Sequence, residues 1–192
     1  MKRLTIIDFV EKYTHKYSEL TFLREKVNGV WTETTFQETR EQAYHIAAGL
    51  IQLGIKKGDK VALLSQGRNL WITSELGILY AGGVNVPLSI KLNESTDLLF
   101  RLQHSESRFV IASEQQLPKI RSIINQCPNI EKIIVLDKIH DYQANEIYIN
   151  DVIALGEAYL KEHTDEFRAI FQSIQPDDYA NISYTSGTTA DP

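Results

Sequence analysis

The sequence predicts an α/β fold: a mainly parallel sheet flanked by helices on both faces, with a small β-hairpin at its periphery. Three observations carry that prediction. Near-continuous apolar runs recur at residues 60–65, 84–88, 108–112 and 132–136, as in strands buried on both faces. Segments of helical apolar spacing separate them, and regular strand–helix alternation favours parallel pairing through crossover helices. Asn28-Gly29 stands between two alternating runs, the strongest short-range hairpin signal.

In chain order, Ile6, Ile7, Phe9, Val10 and Tyr13 space a short amphipathic helix over residues 6–15. Residues 20–26 and 30–34 form the hairpin arms, with Trp31 expected as a packing residue. Thr35-x-x-Glu38 is a capping box opening the next helix. Ala43, Ile46, Ala47 and Leu50 follow at helical spacing, and Gly54 closes it. After a turn at 56–59 and the strand 60–65, residues 69–81 are apolar almost all round, which marks a buried helix. Gly82-Gly83 end it. Pro87 lacks a ladder donor and belongs at the end of the strand 84–88. Residues 94–105 read as a helix and 108–112 as a strand. Residues 115–126 read as a helix with Pro118 in its first turn. The strand 132–136 comes next, and then a loop at 140–148. Asn150 is placed to cap a helix running to about residue 163, and 166–173 form a second one. A turn at 175–178 leads into a last strand-like run, 179–184.

Composition bounds the function. The 192 residues suffice for one domain with a substantial core, and 43% hydrophobic with 23% charged residues is ordinary globular usage. A net charge of -5 argues against a nucleic-acid partner. The single Cys127 cannot form an internal disulfide, which fits a reducing cytoplasm. Lys2 and Arg3 are not followed by the apolar core of a signal peptide. No stretch approaches the ~20 apolar residues of a membrane span. The expectation is a cytoplasmic protein, with peripheral contact to a membrane surface left open.

The chemistry concentrates at the far end. After the apolar run come Tyr184, Thr185, Ser186, Gly187, Thr188 and Thr189, then Ala190-Asp191-Pro192. Such a loop offers backbone N–H groups and several hydroxyl donors without bulk. Gly187 lets an anion approach the backbone closely. This is the composition of a phosphate cradle, and also of an ordinary Ser/Thr/Gly turn. In a parallel sheet, ligands bind beyond the carboxyl ends of the strands, where this loop is expected. Neither G-x-x-x-x-G-K-[ST] nor G-x-G-x-x-G occurs. His15, His45, His104, His140 and His163 are scattered, without metal-ligand spacing. Ser65 and Ser186 lack a G-x-S-x-G context. Cys127, before Pro128-Asn129, reads as a buried or turn thiol. The apolar side of 151–163 (Val152, Leu155, Tyr159, Leu160) reads as packing against its own domain, because the opposite side carries Glu157, Lys161 and Glu162 rather than a basic face.

Tyr-Thr-Ser-Gly-Thr-Thr followed by x-x-Pro resembles the phosphate-binding loop of the adenylate-forming superfamily, the AMP-binding enzymes. Ala190 departs from the Gly usual there. Residues 81–88, 102–105, 109–111 and 175–178 are similar to further stretches of acyl-CoA synthetases, and residues 148–174 look most like the long-chain fatty acyl-CoA synthetase branch. The resemblance therefore covers the whole chain. It implies that 1–192 is the N-terminal portion of an AMP-binding domain, ending within its own phosphate loop. The reaction implied joins a long-chain fatty acid to ATP as an acyl-adenylate and then transfers the acyl group to coenzyme A. Residues 184–189 would bind the ATP phosphates, with Thr185 near Mg2+. No catalytic residue is expected within the chain. An aryl-CoA ligase, an amino-acid adenylation domain and a non-catalytic αβα binding domain remain alternatives. A surface meant for the remainder of such an enzyme should leave an exposed apolar patch that favours homo-oligomers.

Overall fold

The computed structural model describes residues 3–185; residues 1–2 and 186–192 lie outside it. The chain begins with α1 (Ile6–Tyr17), opened by a capping box in which the Asp8 N–H donates to the Thr5 hydroxyl and the Thr5 N–H donates back to the Asp8 carboxylate. β1 (Thr21–Val27) and β2 (Val30–Thr35) pair antiparallel in a sheet of their own. Asn28 and Gly29 both take positive φ at the tip, as the tight hairpin turn requires. α2 (Phe36–Gln52) starts on the Thr35–Glu38 capping box and ends before Gly54, whose φ of 102° suits glycine.

The main sheet contains β3 (Lys60–Leu64), β4 (Val84–Pro87), β5 (Phe109–Ala112), β6 (Lys132–Val135) and β7 (Glu146–Tyr148). All pairings are parallel, in the order β4-β3-β5-β6-β7. Between the strands run α3 (Asn69–Tyr80), α4 (Leu99–His104) and α5 (Leu117–Ile123). α6 (Ile149–Gln172) follows β7. Because strand side chains alternate faces, the sheet divides two cores. Val61, Leu63, Phe109, Ile111 and Ile134 pack with α1, α2, α3 and α6 on one face. Ala62, Leu64, Val110, Ala112, Ile133 and Val135 pack with α4 and α5 on the other. The expected α/β architecture is therefore present.

Several local expectations are corrected. Residues 140–148 are not all loop, because β7 joins the sheet through Ile133, Ile134 and Val135. Asn150 does not cap the last helix. Tyr148, still paired with Val135, stands at the N-cap without a side-chain bond, so strand pairing sets where the helix begins. By contrast, the break expected between two helices near residue 163 is present, where His163 leaves helical geometry (φ -125°, ψ 28°) within α6. The segment 94–105 begins as a π-helical turn (Glu94–Leu98) before α4. Trp31 is 60% exposed and is not a packing residue. The run 179–184 is not a full strand: it makes one parallel bridge, Asn181 with Asn85 of β4.

The hairpin also supplies a cap. Arg68 precedes α3 without capping it. Instead the Glu25 carboxylate on β1 accepts the Asn69 N–H at 2.9 Å, and the Asn69 side chain donates to the Thr34 hydroxyl at 3.1 Å. A carboxylate there satisfies one orphan amide and complements the helix dipole.

Candidate functional site

The segment leading to the hydroxyl-rich stretch is built from its anchors upward. The turn at 175–178 closes on itself, with the Gln175 N–H donating to Asp178 at 2.7 Å. Lys57 ties that turn to the body of the domain, donating to the Ser173 carbonyl and pairing with Asp178 at 2.6 Å. The ammonium beside it holds the Asp178 carboxyl below the usual carboxylate range. The chain then runs parallel to β4. The Asn85 N–H donates to the Ala180 carbonyl, and the Ile182 N–H to the Asn85 carbonyl, both at 2.9 Å. Asn85 is fully buried and donates its amide to Glu75 of α3, so the strand that receives the segment is itself fixed.

Past Ile182 the chain is held by a side chain. The Tyr184 hydroxyl lies 2.8 Å from His104 Nδ1, at the last residue of α4, and donates more loosely to the Arg101 carbonyl at 3.4 Å. The His104 ring meets the Tyr184 ring edge-on, with centroids 5.7 Å apart. The Arg101 guanidinium sits 5.4 Å from the Tyr184 ring centroid. Arg101 is itself nearly buried and donates to the Asp97 carbonyl at 2.8 Å. Burial pushes the Tyr184 phenol above its ordinary range, so it stays protonated near neutrality. Thr185, next along, is exposed.

The structure thus places Tyr184 and Thr185 at the carboxyl end of the segment bridged to β4, on the sheet's margin. Ser186, Gly187, Thr188 and Thr189 lie outside the described residues. Sequence reasoning missed His104 and Arg101. They stand about eighty residues from Tyr184, and no spacing links them to it; only the fold brings them together. Past the carboxyl ends of β3 and β5 the side chains bond to one another. There the Ser113 hydroxyl donates to Gln66, Gln66 donates to Gln115, and Arg68 pairs with Asp137 at 2.7 Å. A cleft of about 160 Å³ between Ile7, Leu79, Gly83 and Tyr179 opens instead at the amino ends of the strands, away from Thr185.

Cys127 is buried, and burial raises its thiol pKa, which disfavours a nucleophilic thiolate. Among the described residues no three His, Cys, Asp or Glu side chains are grouped to hold a metal. Among them, too, no helix is long and apolar enough to cross a membrane.

Comparison with known proteins decides the family. The model of the family described as "AMP-binding enzyme" matches residues 10–192. The chain belongs to the AMP-binding enzyme family. The chain is 26% identical over 191 residues to the long-chain-fatty-acid–CoA ligase ACSBG2 of Xenopus laevis, a match covering 98% of the chain and 25% of that protein. It is 28% identical to the long-chain-fatty-acid–CoA ligase FadD15 of Mycobacterium tuberculosis, covering 86% of the chain and 26% of that protein. Among solved structures it resembles coronafacic acid ligase from Pectobacterium brasiliense, with a TM-score of 0.76 at 27% identity over 91% of the chain and 32% of the ligase. The fold is also that of the anthranilate CoA ligase AuaEII in complex with anthranoyl-AMP, with a TM-score of 0.77 at 23% identity, covering all of the chain and 34% of that protein. The chain spans about a quarter of the length of the curated relatives it matches.

Proposed function

We infer that residues 1–192 form the N-terminal portion of the AMP-binding domain of an ATP-dependent acyl-CoA ligase acting on long-chain fatty acids. The observation that carries this is the family match continuing to residue 192, beside a segment bridged to β4 that brings Tyr184 and Thr185 to a carboxyl strand end. In this reading a fatty acid carboxylate attacks the α-phosphorus of ATP, releasing pyrophosphate and leaving an acyl-adenylate. The thiol of coenzyme A then displaces AMP. The chain's part is to bind and orient phosphate: hydroxyls of Thr185, Ser186, Thr188 and Thr189, with the amides around Gly187, donate to anionic oxygens. Such transfers are catalysed mainly by positioning and charge neutralisation.

Magnesium fits only as a companion of the nucleotide. Thr185 is exposed, and a lone hydroxyl completes the octahedral shell of Mg2+ only when phosphate oxygens and water fill the rest. Mg2+ would neutralise phosphate charge there. The long-chain assignment rests on the names of relatives about a quarter identical. An aryl-CoA ligase is the second reading, favoured by the likeness to anthranilate CoA ligase.

The test is pyrophosphate release with fatty acids of increasing length, with benzoates and with amino acids, beside a Thr185→Ala control. The chain of 192 residues alone is expected to make no acyl-CoA. The longer gene product, if there is one, should release pyrophosphate most rapidly with long-chain fatty acids. Preference for benzoates would establish the second reading, and no ATP-dependent activity with any carboxylate would remove both.

A further inference from the structure

We propose that His104 is a positioning residue that anchors Tyr184 and so sets where the hydroxyl-rich stretch begins. The part concerning nucleotide rests on the phosphate reading above; the anchoring itself does not. Among the described residues, the last backbone bond pairing the segment with the sheet is the Ile182 N–H to the Asn85 carbonyl. Ser183 turns inward on its own segment, donating to the Asn181 side chain at 2.6 Å. What ties the chain to the domain at Tyr184 is the phenol on His104 and the ring over Arg101, along with apolar packing of Ile182 and Tyr184 on the α4/α5 core.

The anchor is preorganised on the α4 side. Phe100, one turn earlier, stacks on the imidazole with centroids 5.3 Å apart and planes 26° off parallel. Arg101 is held by Asp97, in the π-helical turn, so both of its neighbours present Tyr184 with a settled surface. The hydroxyl meets His104 Nδ1 at 2.8 Å and the Arg101 carbonyl at 3.4 Å; the shorter contact is the stronger bond, with the imidazole tautomer setting which partner donates. In a parallel sheet a ligand-binding loop must be aimed as well as attached. A backbone that is already ordered loses less conformational entropy on binding than one that must be ordered by the ligand. His104 thus connects α4, on one face of the sheet, to Tyr184, the first residue of the hydroxyl-rich stretch.

The experiment compares wild type with His104→Ala, His104→Asn, Tyr184→Phe and the Ala/Phe double variant of this chain. Asn presents an acceptor and a donor near the position of Nδ1. Two readouts are taken: amide hydrogen exchange at residues 182–185, and MgATP affinity by phosphorus NMR titration. His104 is exposed, so its variants should keep the wild-type melting temperature. His104→Ala and Tyr184→Phe should each speed exchange at residues 182–185 by about two- to tenfold, the worth of one hydrogen bond. The double variant should be no faster than either single one, and His104→Asn should return toward wild type. MgATP affinity should weaken in the same order. Unchanged exchange in His104→Ala, or effects that add in the double variant, overturns the anchor. Coupled exchange with no MgATP binding by any variant, wild type included, keeps the anchor and removes the phosphate reading.

Discussion

Glu11 gathers more partners than any other carboxylate near the α1–α2 contact. Arg40 donates to both of its oxygens at 2.7 and 2.8 Å, and the hydroxyls of Tyr44 and Tyr80 donate at 2.9 and 2.6 Å. Burial pushes the carboxyl up, but the bonds from Arg40, Tyr80 and Tyr44 outweigh it, leaving Glu11 below its ordinary 4.5. A folded value depressed below the unfolded one contributes stability above about pH 4.5, which is lost as pH falls through the folded value. Glu11→Gln should therefore cost about 2 kcal/mol at pH 7. The gap in melting temperature between wild type and variant should close below about pH 4. A gap that stays constant from neutral to acid pH would mean shape, not charge, holds this cluster. No local pattern marks the network, because its members come from three helices. The Thr35–Glu38 box, by contrast, was legible because both members lie within one turn of the chain. Trp31 misled for a related reason: alternation marks a strand but does not say that its second face is covered, and here it is not.

At the scale of elements, α2 and α6 cross where neither helix carries a side chain. A Cβ on Gly156 would overlap the His45 carbonyl of α2 and stand 2.8 Å from the Gly49 amide. Gly→Ala inside a helix ordinarily stabilises by roughly 0.5–1 kcal/mol. Here the sign should reverse, with Gly156→Ala costing about 2 kcal/mol because backbone, not a flexible side chain, must move. Denaturant unfolding measures it, and a stabilised variant would show that α6 shifts freely over α2. β7 is held in a comparable nonlocal way. Its Glu146 side chain is fully buried and paired by Arg121 of α5 at 2.6 Å, with the Gln143 N–H donating at 2.9 Å. Arg121→Ala leaves that carboxylate unpaired and should cost about 3 kcal/mol; a cost under ~0.5 kcal/mol would mean the pair is a surface one. A three-residue strand with a buried Glu has no sequence signature, which is why 140–148 read as loop. The four apolar strands were legible because burial on both faces writes itself as an unbroken run.

Across the whole molecule the buried apolar side chains are shared between the sheet and the helices that flank it, yet the largest exposed ones are not spread evenly. Leu4, Ile6, Phe9 and Tyr13 of the first helix region and Leu20, Phe22, Val27, Val30 and Trp31 of the hairpin region all lie within the first 31 residues. A groove of about 230 Å³ runs between Phe9, Tyr13, Phe22 and Phe36, and Phe9 and Tyr13 stack with centroids 6.3 Å apart. Lys12, Lys16 and Lys26 rest over Tyr13, Tyr17 and Trp31, so parts of this face carry positive charge while the chain as a whole carries -5. Net negative charge keeps copies apart at neutral pH, and an apolar face of this kind draws them together once that repulsion weakens. Light scattering at fixed concentration should therefore rise as pH is lowered from 7 toward charge neutrality, before the acid loss of stability seen through Glu11. Val30→Thr with Trp31→Thr removes two exposed apolar groups, 67% and 60% exposed, without changing the net charge or touching either core. It should suppress that rise while leaving the melting temperature near wild type. Equal scattering by variant and wild type would place the association elsewhere on the molecule, and a lowered melting temperature would mean that the hairpin tip contributes more to the fold than its exposure indicates.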